Sequence, residues 1–258
     1  MVELNFLGTG GSVATEDRDN TSFLIRFEQE LILVDCPGSV IPKIKKLHLN
    51  PLQVTSILVT HIHPDHIYGL PSFIHSLMLD EGRIRLYGSE DSIFFSRGLL
   101  DLFGLLDKKI KMRVDFRPLK SNQSFQLADS LEISAFKVSH SPASLAYHFH
   151  FSPENKELIY SGDTPPEPFL FQKAKGVDSL IHDCSTPSRF FKMYPSLYPL
   201  HTHSLDLGRF SQQAGVRCLI PCHFFGEVDF DLSEIEAEIR ENYTGRLIIP
   251  RDLEKVLL

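Results

Sequence analysis

Ile57-Leu58-Val59-Thr60-His61-Ile62-His63-Pro64-Asp65-His66 sets a buried-strand pattern directly against three imidazoles and a carboxylate within six positions. An exposed polar turn has no need of three histidines. A tight turn after a strand aims alternate side chains at one point, and His/Asp sets of this kind suit zinc or another borderline divalent cation. Four donors so close in sequence cannot complete one tetrahedron without strain, so the loop points to two cations sharing it.

Working outward, the same device recurs. Leu131 to Val138 runs into Ser139-His140, Leu158 to Gly162 runs into Asp163, and Cys218 to Cys222 runs into His223. Any one of these alone is an ordinary surface or core residue. If the strands lie side by side, however, their ends meet at one edge of the sheet, where loops meet solvent and chemistry is hosted. His61, His63, Asp65, His66, His140, Asp163 and His223 are therefore the candidate metal ligands.

The rest of the chain bounds what surrounds that site. Its 258 residues are 42% hydrophobic and 23% charged, which excludes disorder, collagen-like repeats and coiled-coil rods. No low-complexity linker or internal repeat marks a boundary, so one domain over 1–258 is expected. The charge, 26 − 33 = −7, argues against holding nucleic acid through bulk electrostatics. Twelve histidines are many for such a chain and point to metal binding or proton transfer. Cys36, Cys184, Cys218 and Cys222 form no CxxC pair, which fits free thiols in a reducing compartment. The opening residues show no basic segment followed by an apolar stretch, and no run approaches the roughly 18 apolar residues of a membrane span. The expectation is a cytoplasmic protein without a membrane partner.

Strands are expected over Val2 to Leu7, Thr21 to Phe27 and Glu30 to Val34, a β-meander, with a helix over Leu70 to Leu79, a strand over Arg83 to Tyr87 and a helix near Asp91 to Phe103. Val114 to Ser161 reads as a second antiparallel set. The last third alternates strand and helix, closing on a helix from Leu232 to Tyr243 with Ser233 and Glu236 as its capping box. Mixed sheets covered by helices give an α/β class, a sandwich of α, β, β and α layers.

The HxHxDH cluster, the lone His140, Asp163 and the late His223, in that order, resemble the metallo-β-lactamase superfamily over nearly the whole chain. Leu7-Gly8-Thr9-Gly10-Gly11, Asn20-Thr21-Ser22, Tyr68-Gly69-Leu70-Pro71, Ser161-Gly162-Asp163-Thr164 and Ala214-Gly215-Val216 look like its ribonuclease Z branch. The resemblance implies a four-layer αββα metallo-β-lactamase sandwich of two mixed sheets with helices on the outer faces. It implies that His61, His63 and His140 hold one metal, that Asp65, His66 and His223 hold the other, and that Asp163 bridges them. Zinc is the default ion, with manganese or iron as alternatives. Two such cations share a water, lower its pKa and clamp an in-line displacement at phosphorus, so the implied nucleophile is a metal-bridging hydroxide. Asp65 would also orient it, and Asp35 would support the ligand loop.

A leaving alkoxide needs a proton, and the branch places a histidine upstream of its last ligand for this. His201 matches by spacing (223 − 201 = 22) and His203-Ser204 by motif, so both are candidates. Asp183 stands where the family has a carboxylate that positions that histidine.

The branch also carries a transfer-RNA-gripping arm between the lone His and the bridging Asp, and 163 − 140 = 23 leaves no room for it. The leading expectation is thus a metal-dependent hydrolase, a phosphodiesterase acting on a nucleotide or other small diester. A tRNA 3′-processing endonuclease, with RNA as partner, is the runner-up; a lactone or thioester hydrolase and a non-catalytic metal sensor are the other readings. Phe94-Phe95, Phe190-Phe191 and Phe224-Phe225 read as core or site-wall residues; branch members are often homodimers, and one of these pairs would instead serve as a dimer patch. Lys43, Lys45, Lys46 and Lys108 to Lys111 are candidates for phosphate contact against the plainer role of solvated surface.

Overall fold

Along the meander the side chains alternate, and the alternation divides them between two cores. Leu4, Phe6, Phe23, Ile25, Ile32 and Val34 face one way, while Leu7, Leu24, Leu31 and Leu33 face the other. Strands buried on both faces in this way need a layer on each side. The computed structural model, which describes all 258 residues, supplies both.

The first sheet is formed by β1 (Glu3–Gly8), β2 (Ser22–Phe27), β3 (Glu30–Val34), β4 (Ser56–Leu58), β5 (Gly82–Ser89) and β6 (Met112–Leu119). These six lie in sequential order, antiparallel through β3 and parallel from β3 to β6, and a last strand from Lys255 to Leu257 adds antiparallel to β1. Helices α1 (Val40–Lys46), α2 (Pro64–Ile67), α3 (Leu70–Ser76) and α4 (Glu90–Leu102) belong to this half.

The second sheet comprises β7 (Gln123–Ala128), β8 (Leu131–Lys137), β9 (Leu145–Phe151), β10 (Lys156–Tyr160), β11 (Ser179–Asp183), β12 (Cys218–Cys222) and β13 (Arg246–Leu247). It is antiparallel from β7 to β10 and parallel from β10 to β13. Its helices are α5 (Pro168–Lys173), α6 (Ser188–Met193), α7 (Ser204–Ala214) and α8 (Leu232–Arg240); the Lys255–Leu257 strand of the first sheet is β14.

Three cores join these layers. One of 26 buried residues, including Phe6, Phe23, Tyr147, Phe149 and Tyr160, lies between the sheets; others of 21 and 18 pack each sheet against its helices. Three interlayer cores make four layers, the αββα sandwich. Phe149 is fully buried in the central one, so Phe149→Ala would cost about 3–5 kcal/mol.

Two expectations need correction. Residues from Val114 to Leu119 do not open the second set but form β6, which pairs parallel to β5 over Gly82 to Ser89. A half-buried edge strand of this kind lacks the strict alternation that would have assigned it. The capping box of α8 is made by Asp231 and Glu234, because Asp231 has extended backbone and Ser233 already lies inside the first turn.

Candidate metal centre

The ligand-type residues do meet, but at an edge of the sandwich drawn from both sheets rather than from one. The loop after β4 brings His61 to His66 from the first sheet. His140 follows β8, Asp163 follows β10, Asp183 ends β11 and His223 follows β12, all in the second. One donor atom each of His61, His63 and His140 lies within 4.8 Å of the others, and the same holds for Asp65, His66, Asp163 and His223. Asp163 Oδ2 sits between the two sets, 3.7 Å from Nε2 of both His61 and His140, 3.3 Å from His66 Nε2 and 3.1 Å from His223 Nε2.

The outer ring nitrogens are held so that the inner ones point at this space. His140 Nδ1 donates to the Leu200 carbonyl at 2.9 Å, and a carbonyl can only accept, so Nε2 carries its lone pair inward. His66 Nδ1 donates to Asp35 Oδ2 at 2.9 Å with the same result. Asp35 is fully buried in left-handed backbone (φ 57°) and also accepts from the Thr60 amide at 2.8 Å and the Thr60 hydroxyl at 2.9 Å. That carboxylate ties the His61 loop to the end of β3.

These donors fit a metal. His61 Nε2 and His140 Nε2 each lie 3.0 Å from His63 Nδ1, three nitrogens directed at one another. His66 Nε2 and Asp163 Oδ1 are buried without a hydrogen-bond partner, a costly arrangement unless a cation completes it. His, Asp and no thiolate make a borderline-to-hard donor set.

The electrostatics agree. Burial alone would hold His223 neutral, but Asp163 and Asp65 override it and raise its pKa to about 9. Burial likewise opposes charge on His66, and Asp163 with Asp35 raise it well above the usual range. Burial would raise the Asp163 and Asp65 carboxyls, yet the facing imidazoles hold both below the ordinary carboxylate range. Protons here occupy the place that positive charge demands. His61 and His140 are depressed, chiefly by burial.

His201 joins this group and His203 does not. His201 Nδ1 donates to Asp183 Oδ2 at 2.8 Å, its ring stacks on His223 at 5.4 Å, and it shares a 4.8 Å neighbourhood with donor atoms of His140 and Asp163. His203 instead caps α7: its Nδ1 accepts from the Asp206 amide at 3.2 Å, and its ring packs against Phe191 and Tyr198. Burial depresses its pKa. Phe225, from one of the Phe pairs expected in the core or the site wall, flanks both His201 and His223 edge-on. Lys43 is not a free cation, since it pairs with Asp19 at 3.1 Å and Asp252 at 2.8 Å.

Comparison with known proteins gives the family. Residues 2–205 match the family model described as Anti-Pycsar protein Apyc1. The chain belongs to that family. The matched stretch carries the Apyc1-family chain's donors up to His201 and His203, and leaves His223 beyond it. Ribonuclease Z of Pyrococcus abyssi is 35% identical over 151 residues, 58% of this chain and 48% of that protein, so the match spans about half the relative's length. The metallo-β-lactamase fold protein YhfI from Bacillus subtilis superposes with a TM-score of 0.81 at 17% identity, covering 99% of this chain and 98% of its own. Human tRNase Z, short form, gives 0.79 at 18% identity, covering 99% and 98%. The Apyc1-family chain thus has the metallo-β-lactamase fold and is similar to ribonuclease Z over about half of that protein's length.

Proposed function

We propose that the chain is a metal-dependent phosphodiesterase acting on a nucleotide or other small phosphodiester. The observation that carries this is the placement of Asp163 Oδ2 between two donor sets, with the His201–Asp183 pair beside them. His61, His63 and His140 would hold one divalent cation, Asp65, His66 and His223 a second, and Asp163 would touch both; zinc suits the donors best. When bound, such a pair supplies Lewis acidity toward a phosphoryl oxygen and an acidified water.

The chain's own residues do the rest. Asp183, 1% exposed, accepts the His201 Nδ1–H and fixes the ring with Nε2 free. His201 Nε2 is then the atom that delivers a proton to the departing oxygen. Phe225 screens the flank of that imidazole from water. His203, committed to the helix cap, takes no part. Asp65, turned toward His66 and His223, orients the attacking oxygen.

A transfer-RNA precursor is the second reading, favoured by the names of the relatives. Against it, His140 and Asp163 are joined by β9 and β10 through a short turn at Ser152–Glu154, with no segment to extend toward a large RNA. A lactone or thioester would use the same groups, while a sensor would not need the Asp183–His201 pair. The deciding experiment sets an activated phosphodiester, nucleotide diesters, a lactone panel and a precursor tRNA side by side with zinc-loaded protein. Preferential turnover of small diesters is expected; efficient precursor cleavage would reverse the order, and none with any ester would leave the sensor. A homodimer forms part of the reading, supported by Phe94 (82% exposed), Leu102 and Phe103 standing out from the α4 region. Sedimentation tests it.

A further inference from the structure

His223 has left-handed backbone (φ 66°), a conformation that costs a residue with a side chain about 1–2 kcal/mol and persists only where its surroundings impose it. What imposes it is one carbonyl. Thr9 O accepts from the amides of both His223 (2.9 Å) and Phe224 (3.2 Å), and Gly11 N returns a bond to the Phe224 carbonyl at 2.7 Å. The first hairpin loop therefore determines where the His223 imidazole stands.

Thr9, fully buried, is itself gripped from the far end of the chain. Its hydroxyl donates to Asp252 Oδ1 at 2.9 Å and accepts from the Arg18 guanidinium, which also donates to the Pro250 carbonyl at 2.9 Å. Asp252 Oδ2 takes the Asp19 amide and the Lys43 ammonium, each at 2.8 Å. Lys43 reaches on to the Leu7 carbonyl. One carboxylate thus gathers the two ends of the first hairpin loop, at Thr9 and Asp19, and α1 at a single partly buried point, its side chain 15% exposed.

We propose that Asp252 is a positioning residue for the metal centre, fixing His223 through Thr9. It touches neither substrate nor cation. The inference rests on the reading of the His/Asp cluster as a metal centre, and two measurements separate the fates of the two ideas. Asp252→Asn and Thr9→Val should each speed hydrogen exchange at the His223 and Phe224 amides of metal-free protein at least about tenfold. In zinc titration they should weaken one binding step by about 10- to 100-fold and leave the other as in the parent. Thr9→Ser, which keeps the hydroxyl, should restore both readouts.

Lys255→Ala is the control for general loosening of this end, because it removes the 2.6 Å pair that links β14 to Glu3 without touching Thr9. It should leave both readouts unchanged. Parent-like exchange and parent-like titration in Asp252→Asn would overturn the proposal while the metal centre stands. So would equal effects in Lys255→Ala. A parent that binds no zinc would sink the reading of the centre, and the exchange rates would still decide whether Asp252 holds His223. If Asp252→Asn fails to fold, the Thr9→Val and Thr9→Ser pair carries the test alone.

Discussion

Asp183→Asn is the sharpest probe of the proposed chemistry, because it changes charge while keeping shape. Asp183 is buried, and its Oδ2 accepts from His201 at 2.8 Å and from the Thr164 amide at 3.2 Å. Asparagine preserves an acceptor for either bond and removes the negative charge that faces the His201 Nδ1–H, making a charge-assisted hydrogen bond an ordinary one. A hydrogen bond to a charged group contributes about 1.5–3 kcal/mol, and about 1.4 kcal/mol is tenfold in rate. The variant should therefore lose about 10- to 150-fold in kcat, with KM little changed. The assay compares two diesters: one whose leaving group departs unaided as a stabilised phenolate, and one that leaves as an alkoxide needing a proton. The loss should be confined largely to the alkoxide substrate, with metal content equal to the parent, a necessary control because Asp183 Oδ1 lies 3.7 Å from His223 Nδ1. An equal loss on both substrates, or none on either, would refute the assignment of His201 and Asp183 to proton delivery.

His201→Ala should retain metal and lose turnover of the alkoxide diester, whereas His203→Ala should keep turnover and lose about 1 kcal/mol of stability as the cap of α7, read by denaturant melts. Asp163→Ala should lose metal and activity together, by metal analysis and rate assay, since its carboxylate faces both donor sets. Chelation should lower the stability of the parent, by about 4 kcal/mol if free zinc stood near a thousand times its dissociation constant, and should not affect Asp163→Ala. In chelated protein the folded pKa of His223, raised to about 9 from 6.5, contributes stability that is complete below about pH 6.5. That contribution disappears as pH rises through 9, and His66 acts in the same direction. Melting temperature of the metal-free protein should therefore fall between pH 7 and 10, and metal-loaded protein should lack this slope.

How much of this is legible in the sequence depends on the distance over which a cause acts. The His61–His66 cluster and the strand-then-ligand pattern of His140, Asp163 and His223 are local, and they locate the site by themselves. His201 and His203 share one loop and both match the branch, so the sequence does not separate them. Their roles are divided by tertiary neighbours: the start of α7 at Ser204 engages His203, and the end of β11 presents Asp183 to His201. The strand β6 escapes a sequence reading because its parallel pairing with β5 leaves no hairpin signature. Asp252 is invisible for the plainest reason, since the bond to Thr9 joins positions 243 apart in sequence.

The donors that face Asp163 come from opposite slabs of the molecule, and Asp65 and His223 are separated by 158 positions. Neither slab alone owns enough donors to retain a cation pair, so a filled centre would rivet the two together and close a very long stretch of chain. The cost of closing a loop rises with the logarithm of its length, so such a late cross-link counts for most in the unriveted molecule. Loss of metal should therefore reach beyond chemistry and lower the resistance of the whole sandwich to unfolding, since the 26-residue core between the slabs makes them melt together.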